Sequence, residues 1–323
     1  MNDLKKSRVA VTGGAGCIGS FVVDEVIKRG VKEVVIVDNF TRGLKKNIEP
    51  AIASGCARLV DGDIRDFDLM KKTFKGIDYC FHLASLKIIQ CVDEPRHALE
   101  VNVDGTFNVL EACADNNVKK AVFSSTASIY GQADIFPIKE THHPYNSHTL
   151  YGAFKVANEL MFQSFYQMRG LKFNTLRYFN VFGPRMDAHG KYTEVLIRWY
   201  RLIKEGKQPL IYGDGKQTMD FIYVEDVARA TVLALTADIY NGVFNCANGK
   251  ETSLEELCCA LLEVMGSDLK PKYVPIPEDR NKIEVIRRLA DVSKAKEEIN
   301  FKAQVTLKEG LKELVKWLET QKM

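Results

Sequence analysis

The stretch VAVTGGAGCIGS, residues 9–20, puts glycines at 13, 14, 16 and 19 between a β-branched run and an apolar, helix-compatible one. Glycine lets the backbone turn tightly there, and N–H groups at the mouth of the following helix face a ligand with the helix's positive end, the surroundings a pyrophosphate needs. A bare G-x-G-x-x-G is weak. This one has its context, with RVAVTG (8–13) reading as the strand before it and 17–29 as the helix after it.

Working outward, EVVIVD (33–38) closes on Asp38, nineteen residues beyond Gly19. A carboxylate at that strand end accepts from the hydroxyls of an adenosine ribose and repels a 2′-phosphate, so NAD is expected rather than NADP. Arg42, four residues on, is a cation able to reach back. Further short runs, ARLVDGD (57–63), DYCFHLA (78–84) and KKAVFSS (119–125), alternate with helical patterns at 66–75 and 94–116. Such alternation predicts an α/β fold, a Rossmann-type doubly wound parallel sheet with helices on both faces. From about residue 180 Pro and Gly break the rhythm (FGPR, IYGDG, PKYVPIPEDR), and helical patterns follow at 193–205, 253–265 and 306–319. We read residues 1–180 as the dinucleotide-binding domain and 181–323 as a smaller C-terminal α/β substrate-binding lobe, some of whose strands and helices return to the first domain. The ligand is expected in the cleft between them.

Composition narrows the function. The chain has 323 residues, 46% hydrophobic and 27% charged, an ordinary globular balance, and its formal net charge of +3 is scattered rather than gathered into a stripe. That argues against a nucleic-acid or membrane partner and leaves room for a small anionic ligand. No apolar run reaches the roughly 18 residues of a membrane span, so a cytoplasmic protein is expected. Eight cysteines without a C-x-x-C spacing read as reduced, buried thiols. His142 and His143, as neighbours, are expected to point apart, with no Cys, Asp or Glu completing a ligand set at a recognisable spacing, so no metal is expected.

The chemistry is carried by SHTLYGAFKVANE (147–159), where Tyr151 and Lys155, four apart on a helix, share a face. Bringing a phenol from ~10 to about 7 takes roughly 4 kcal/mol. A unit charge ~4 Å away at an effective dielectric of about 20 supplies that much, and the cationic ring of an oxidised nicotinamide adds to it. Tyr151 is then a general base in a water-poor cleft. VFSSTASIYG (122–131) adds Ser124, Ser125 and Thr126 at a strand's carboxyl end, where ligands of such sheets bind.

The glycine turn, the strand-end hydroxyls and Tyr-x-x-x-Lys, with HLAS (82–85), RYFNVFGPR (177–185), GDGKQTMDFIYVEDVA (213–228) and ADVSKAKEEINF (290–301), resemble the extended short-chain dehydrogenase/reductase family, in particular its nucleotide-sugar epimerases and dehydratases. The resemblance runs over nearly the whole chain. It implies Tyr151 as base, Lys155 holding the cofactor ribose and lowering the tyrosine pKa, and Thr126, four before Tyr130, as third catalytic member. It also implies Gly13, Gly16 and Gly19 at the pyrophosphate, Asp38 at the ribose and Asp63 and Ile64 at the adenine, the NAD site including Cys17, Ile18, Asn39, Leu83, Ala84, Ser124 and Tyr178 as well. Asn180 and Lys87 are implied at the substrate's diphosphate or sugar.

Members of the family take hydride from sugar C4, and dehydratases and decarboxylases then use acids placed after the strand-end Thr. Here those positions are Ala127 and Ser128, which leaves C4 chemistry. The implied activity is an NDP-sugar 4-epimerase, most simply of the UDP-glucose/UDP-galactose type. The alternatives are a C4 oxidoreductase releasing a keto sugar, an epimerase of another nucleotide sugar such as a GDP-heptose, and a non-catalytic NAD-binding regulatory protein. Two departures stand out. Met219 replaces an arginine that grips the nucleotide phosphates, with Arg280, Arg287 and Arg288 as substitutes, and Arg288 occupies a position that gates sugar size and should disfavour a 2-acetamido group. A homodimer through helices 94–116 and 149–169 is a further implication of the resemblance.

Overall fold

The computed structural model describes residues 4–188, 194–277 and 285–321. Its first half alternates strands β1 (Arg8–Thr12), β2 (Glu33–Asp38), β3 (Ala57–Asp61), β4 (Tyr79–His82), β5 (Lys120–Thr126) and β6 (Phe173–Tyr178) with helices. These helices are α1 (Cys17–Lys28), α2 (Glu49–Ala53), α3 (Phe67–Thr73), α4 (Ile88–Asp93), α5 (Pro95–Leu99), α6 (Gly105–Asp115) and α7 (Leu150–Arg169). The second half contributes β7 (Asn180–Phe182), α8 (Val195–Lys204), β8 (Leu210–Tyr212), β9 (Thr218–Tyr223), α9 (Val224–Thr236), β10 (Gly242–Cys246), β11 (Glu251–Ser253), α10 (Leu254–Val264), β12 (Lys272–Val274), α11 (Ser293–Ile299) and α12 (Leu307–Glu319).

Seven strands form one parallel sheet in the order β3-β2-β1-β4-β5-β6-β10. Both faces are covered, so its central strands read as unbroken apolar runs, and every residue of β5 is buried. Lys120, which opens that strand, tolerates burial because its ammonium donates to the carbonyls of Ala234, Leu235 and Ala237 at 2.8–3.0 Å. Two apolar clusters line the sheet's opposite faces, one gathering Val22, Val26, Val227 and Leu235, the other Phe74, Leu110, Phe123 and Phe162. A third, around Phe182, Trp199, Leu261 and Leu314, fills the C-terminal lobe, whose strands run β11-β9-β7 beside a β12-β8 pair. Later elements of the chain join the first-half sheet and its helices: β10 pairs with β6, and α9 packs on α1.

The helix expected over 94–116 is interrupted. A π-helical turn, Glu100–Asp104, separates α5 from α6. The Asn102 side chain uses the turn to accept from the Leu86 N–H at 2.8 Å and donate to its carbonyl at 3.2 Å, while the Asn102 carbonyl takes hydrogen bonds from Thr106 and Asn158. The inserted residue so clamps the loop after β4. Among the described residues no helix is long and apolar enough to cross a membrane.

Candidate active site

The glycine turn is built by close approach. Gly13 adopts a φ of +69°, and a Cβ there would meet the Ala84 nitrogen at 2.7 Å. A Cβ at Gly19 would sit 2.1 Å from the Gly13 carbonyl oxygen, so α1 can begin only with glycine at that place. Asp38 is buried at the end of β2 and accepts from the N–H groups of Ala15 and Phe40, both at 2.9 Å. Burial raises its carboxyl pKa, and the two N–H groups oppose the rise. Backbone without side chains beside a carboxylate at the strand end is a cradle that fits a dinucleotide.

Around it, Cys17 points its thiol at the Pro184 carbonyl and is pushed up to about 11 by burial, while Ile18 packs into the core. Asn39 donates to Asp63 at 2.8 Å, and Arg65 also pairs with Asp63 at 2.9 Å, while Ile64 is buried against Gly105. Leu83 and Ala84 hang from Thr12, the first through its carbonyl and the second through its hydroxyl. Beneath them His82 is buried between the hydroxyls of Thr12 (2.7 Å) and Thr106 (3.0 Å), and burial drives its pKa down to about 3. Tyr178 is also buried, its hydroxyl joined to Thr231 at 2.7 Å. That hydroxyl is engaged with the core helix α9.

Tyr151, Lys155 and Thr126 come together. Thr149 caps α7, so Tyr151 and Lys155 fall in its first turns on the face toward the end of β5. The Lys155 ammonium donates to the Ser124 carbonyl at 2.8 Å and lies 4.8 Å from the Phe123 ring and 5.8 Å from the Tyr151 ring. The side chains of Thr126 and Ser85 lie close enough to the Tyr151 hydroxyl to oppose the rise in its pKa. Ser85 escaped the sequence reading as a site residue, although it ends the HLAS motif; its orientation depends on Asn102, which receives its hydroxyl at 3.1 Å.

In the protein by itself the electrostatics run opposite to the expectation, which counted on a charged Lys155 with an oxidised nicotinamide ring adding to it. Burial instead pushes Tyr151 up to about 12, with Thr126, Ser85 and Arg42 opposing, and drives Lys155 down to about 7. The same desolvation acts on both partners, and it removes charge from the lysine that was meant to supply it.

The other residues expected at the substrate come from distant segments. Lys87 pairs with Glu194 at 2.6 Å, and Arg42 pairs with Asp187 at 3.2 Å and keeps its Nη1 buried without a hydrogen-bond partner. Asn180 begins β7 with its Oδ1 buried and unpartnered. Met219 packs partly buried against the lobe's apolar cluster. Of the three substitute arginines, Arg280 lies outside the described residues, Arg287 is bound to Glu251 at the surface, and Arg288 keeps a buried Nε without a partner.

His142 and His143 do not point apart. Their ring centroids are 4.7 Å apart, and Asp134 accepts from His142 Nε2 at 2.8 Å, so the ligand atoms of all three lie within 4.8 Å of one another. Asp134 is eight residues upstream, a separation that a linear spacing pattern does not connect. His142 Nδ1 also bonds the His143 carbonyl, and its ring stands edge-on to Tyr130, which pins this loop to the core. All eight cysteines are free; Cys80, Cys91, Cys113, Cys246 and Cys258 are buried, Cys17 and Cys56 partly so, and Cys259 is exposed.

Comparison with known proteins agrees with this geometry. The sequence profile of the NAD dependent epimerase/dehydratase family matches residues 9–247. A UDP-N-acetylglucosamine 4-epimerase from Methanobrevibacter ruminantium, solved with UDP-N-acetylmuramic acid, superposes with a TM-score of 0.91 at 36% identity over 98% of this chain and 99% of its own. A UDP-glucose 4-epimerase from Thermotoga maritima, solved with UDP-glucose, gives 0.89 at 35% identity over 97% and 98%. A UDP-N-acetyl-alpha-D-glucosaminuronate decarboxylase of Bacillus cytotoxicus is 34% identical over 97% of this chain and 98% of its own. With its glycine cradle, strand-end carboxylate and Tyr-x-x-x-Lys helix, the chain belongs to the NAD dependent epimerase/dehydratase family.

Proposed function

We propose that this protein inverts C4 of a nucleotide sugar, with UDP as the nucleotide. The observation that carries the reading is the convergence of Tyr151, Thr126, Ser85 and Lys155 at the end of β5, followed by Ala127 and Ser128 in place of acids. The similarity to 4-epimerases acting on UDP-sugars supports it.

NAD bound in this site would supply a hydride acceptor for C4 and, in its oxidised form, positive charge near the phenol. Gly13, Gly16 and Gly19 would hold its pyrophosphate, Asp38 its ribose, and Asp63 and Ile64 its adenine. The chain's own groups do the proton work. Thr126 and Ser85 fix the phenol oxygen of Tyr151, which takes the proton of the sugar O4. The Ser124 carbonyl holds Lys155 in place. Burial raises Tyr151 in the protein alone, so the positive charge that oxidised NAD would bring would favour its deprotonation. With no carboxylic acid after Thr126, nothing removes the C5 proton or protonates a leaving C6 hydroxyl. Turning of the keto sugar within the cleft would present its other face for reduction, which would invert C4. The parent case is interconversion of UDP-glucose and UDP-galactose.

A homodimer through α6 and α7 is part of this reading. Phe107, Leu160 and Met168 are exposed on these helices, 42%, 65% and 79% respectively, as apolar residues awaiting a partner would be.

The test is turnover of a panel of UDP-, GDP- and dTDP-sugars followed by NMR, with Tyr151→Phe as control. We expect Tyr151→Phe to lower kcat by roughly 10³-fold with little change in KM. Turnover within tenfold of the native enzyme removes Tyr151 as the base; accumulation of NADH with substrate identifies a net oxidoreductase instead.

A further inference from the structure

The loop that leads into α7 carries a cluster the reaction proposed above does not use. Gln132 donates its N–H to the Asn146 carbonyl at 3.2 Å, and the Asn146 side chain donates to the Gln132 carbonyl at 3.0 Å, so the two ends of the loop meet. Just inside this junction stand Asp134, His142 and His143, with one potential ligand atom of each lying within 4.8 Å of the others. No other such set of His, Cys, Asp or Glu occurs among the described residues. The His142 side chain is 4% exposed and that of Asp134 64%, so the cluster opens to solvent on the Asp134 side.

The hydrogen bonds of His142 do not close. Its Nδ1 lies 2.8 Å from the His143 carbonyl and its Nε2 2.8 Å from Asp134 Oδ1, and a carbonyl and a carboxylate both only accept. A neutral imidazole has one N–H for the two. With that proton on Nδ1, the Nε2 lone pair faces the carboxylate, and a cation is needed to join them. A proton would serve that pair alone. A metal ion would serve it and also take the ring of His143, whose centroid is 4.7 Å from that of His142. Two imidazoles on one zinc ion, at Zn–N distances of about 2.0–2.1 Å, bring their ring centres to roughly 5 Å, so the rings already have the spacing an ion needs. Zinc holds neighbouring ligand atoms about 3.4 Å apart, and the exposed Asp134 can swing out to admit it. An Nδ1–H bond to a backbone carbonyl is, moreover, the arrangement that fixes a metal-binding histidine in the tautomer with a free Nε2. Binding of His143 displaces the Tyr145 N–H from its Nδ1, since Nδ1 then carries either the ion or the ring's proton; at 3.3 Å that bond is long and weak.

We propose that Asp134, His142 and His143 bind a divalent transition metal ion of the zinc class, with solvent completing its coordination. Two imidazoles and one carboxylate suit such an ion, whereas calcium and magnesium take oxygen ligands. The histidines follow Asp134 by eight and nine residues, so one ion cross-links the loop across its width. It acts on the loop and not on the chemistry: the His142 ring stands edge-on to Tyr130, with 5.9 Å between centroids, and none of the three residues belongs to the group around Tyr151. The site is independent of the 4-epimerase reading.

The test is calorimetric titration of the full chain with zinc chloride, after treatment with a chelator and in the presence of NAD. We expect one saturable site per chain in the micromolar range, weakened by at least about tenfold in Asp134→Asn and in His143→Gln. Both substitutions lie at exposed positions, and unfolding curves without metal verify that the variants fold. Zinc should raise the Tm of the native chain by more than that of either variant. Because Cys259 is exposed and is itself able to capture zinc, cobalt(II) serves as a second probe, with weak visible bands expected from nitrogen and oxygen ligands. No saturable binding, an unchanged affinity in either variant, or a cobalt spectrum dominated by thiolate bands in the near ultraviolet overturns the site.

Discussion

The two ends of the cleft are made differently. At the cofactor end, backbone does the work: Gly13 and Gly19 allow contacts that no side chain fits, and Asp38 is tied by two N–H groups within its own βαβ unit. At the sugar end, side chains from residues far apart in sequence meet, Arg42 with Asp187 and Lys87 with Glu194, and Asn180 Oδ1 and Arg288 Nε stay buried without partners. On the proposed reading, the first end is complete in itself, and the second would be completed by the sugar nucleotide. Families keep a shared cofactor and change substrates in this way, because side chains can be exchanged one at a time whereas a glycine cradle cannot.

The comparison can be broken from either end. The largest effect is expected beneath the sugar end, where Arg177 is held by Glu159 at 2.7 Å, the Tyr130 hydroxyl at 2.9 Å and the Glu140 carbonyl at 2.7 Å, all largely buried. Glu159→Gln leaves that guanidinium without its counter-charge and should cost about 3–5 kcal/mol in denaturant unfolding. If the ends are independent, NAD affinity of the folded variant stays near native; a loss of NAD binding as large as the loss of stability would join the two regions into one unit.

An effect of comparable size is a pH dependence under the cofactor end. His82 has its pKa lowered from 6.5 to about 3, so between these values the unfolded chain binds the extra proton and the folded chain does not. Stability contributed by neutral His82 is therefore present above pH 6.5 and is lost as pH falls toward 3, on the order of 4–5 kcal/mol in all. His82→Gln should flatten the acid limb of stability against pH, whatever its cost at neutral pH. An acid limb as steep as native would show that other groups set it.

The smallest effect is the most local. Gly19→Ala places a methyl 2.1 Å from the Gly13 carbonyl, and a cost of about 1–3 kcal/mol should appear mainly as weakened NAD binding. Gly16→Ala, whose methyl would sit 3.2 Å from the same oxygen, should be milder. Equal affinities in the two variants, measured by nicotinamide fluorescence, would mean that the turn is looser than its geometry.

The alternation of β-branched and amphipathic runs was enough to read the sheet, because a parallel strand buried on both faces must be apolar throughout; β5 shows it most plainly. The break at Glu100–Asp104 was not legible, since a π turn is a register change that leaves helical periodicity nearly intact. Ser85 was hidden for a related reason: its role comes from Asn102, seventeen residues away.

What the sequence by itself determined is the set of features whose physics is local: the glycine turn, the carboxylate nineteen residues after it, and a tyrosine and lysine one helical turn apart. Only the tertiary structure decided that desolvation raises Tyr151 and depletes Lys155, that Asp134 joins His142 and His143, and that Arg287 faces out while Arg288 faces in. Burial and charge pairing depend on which distant segments pack together, and no spacing along the chain carries that information.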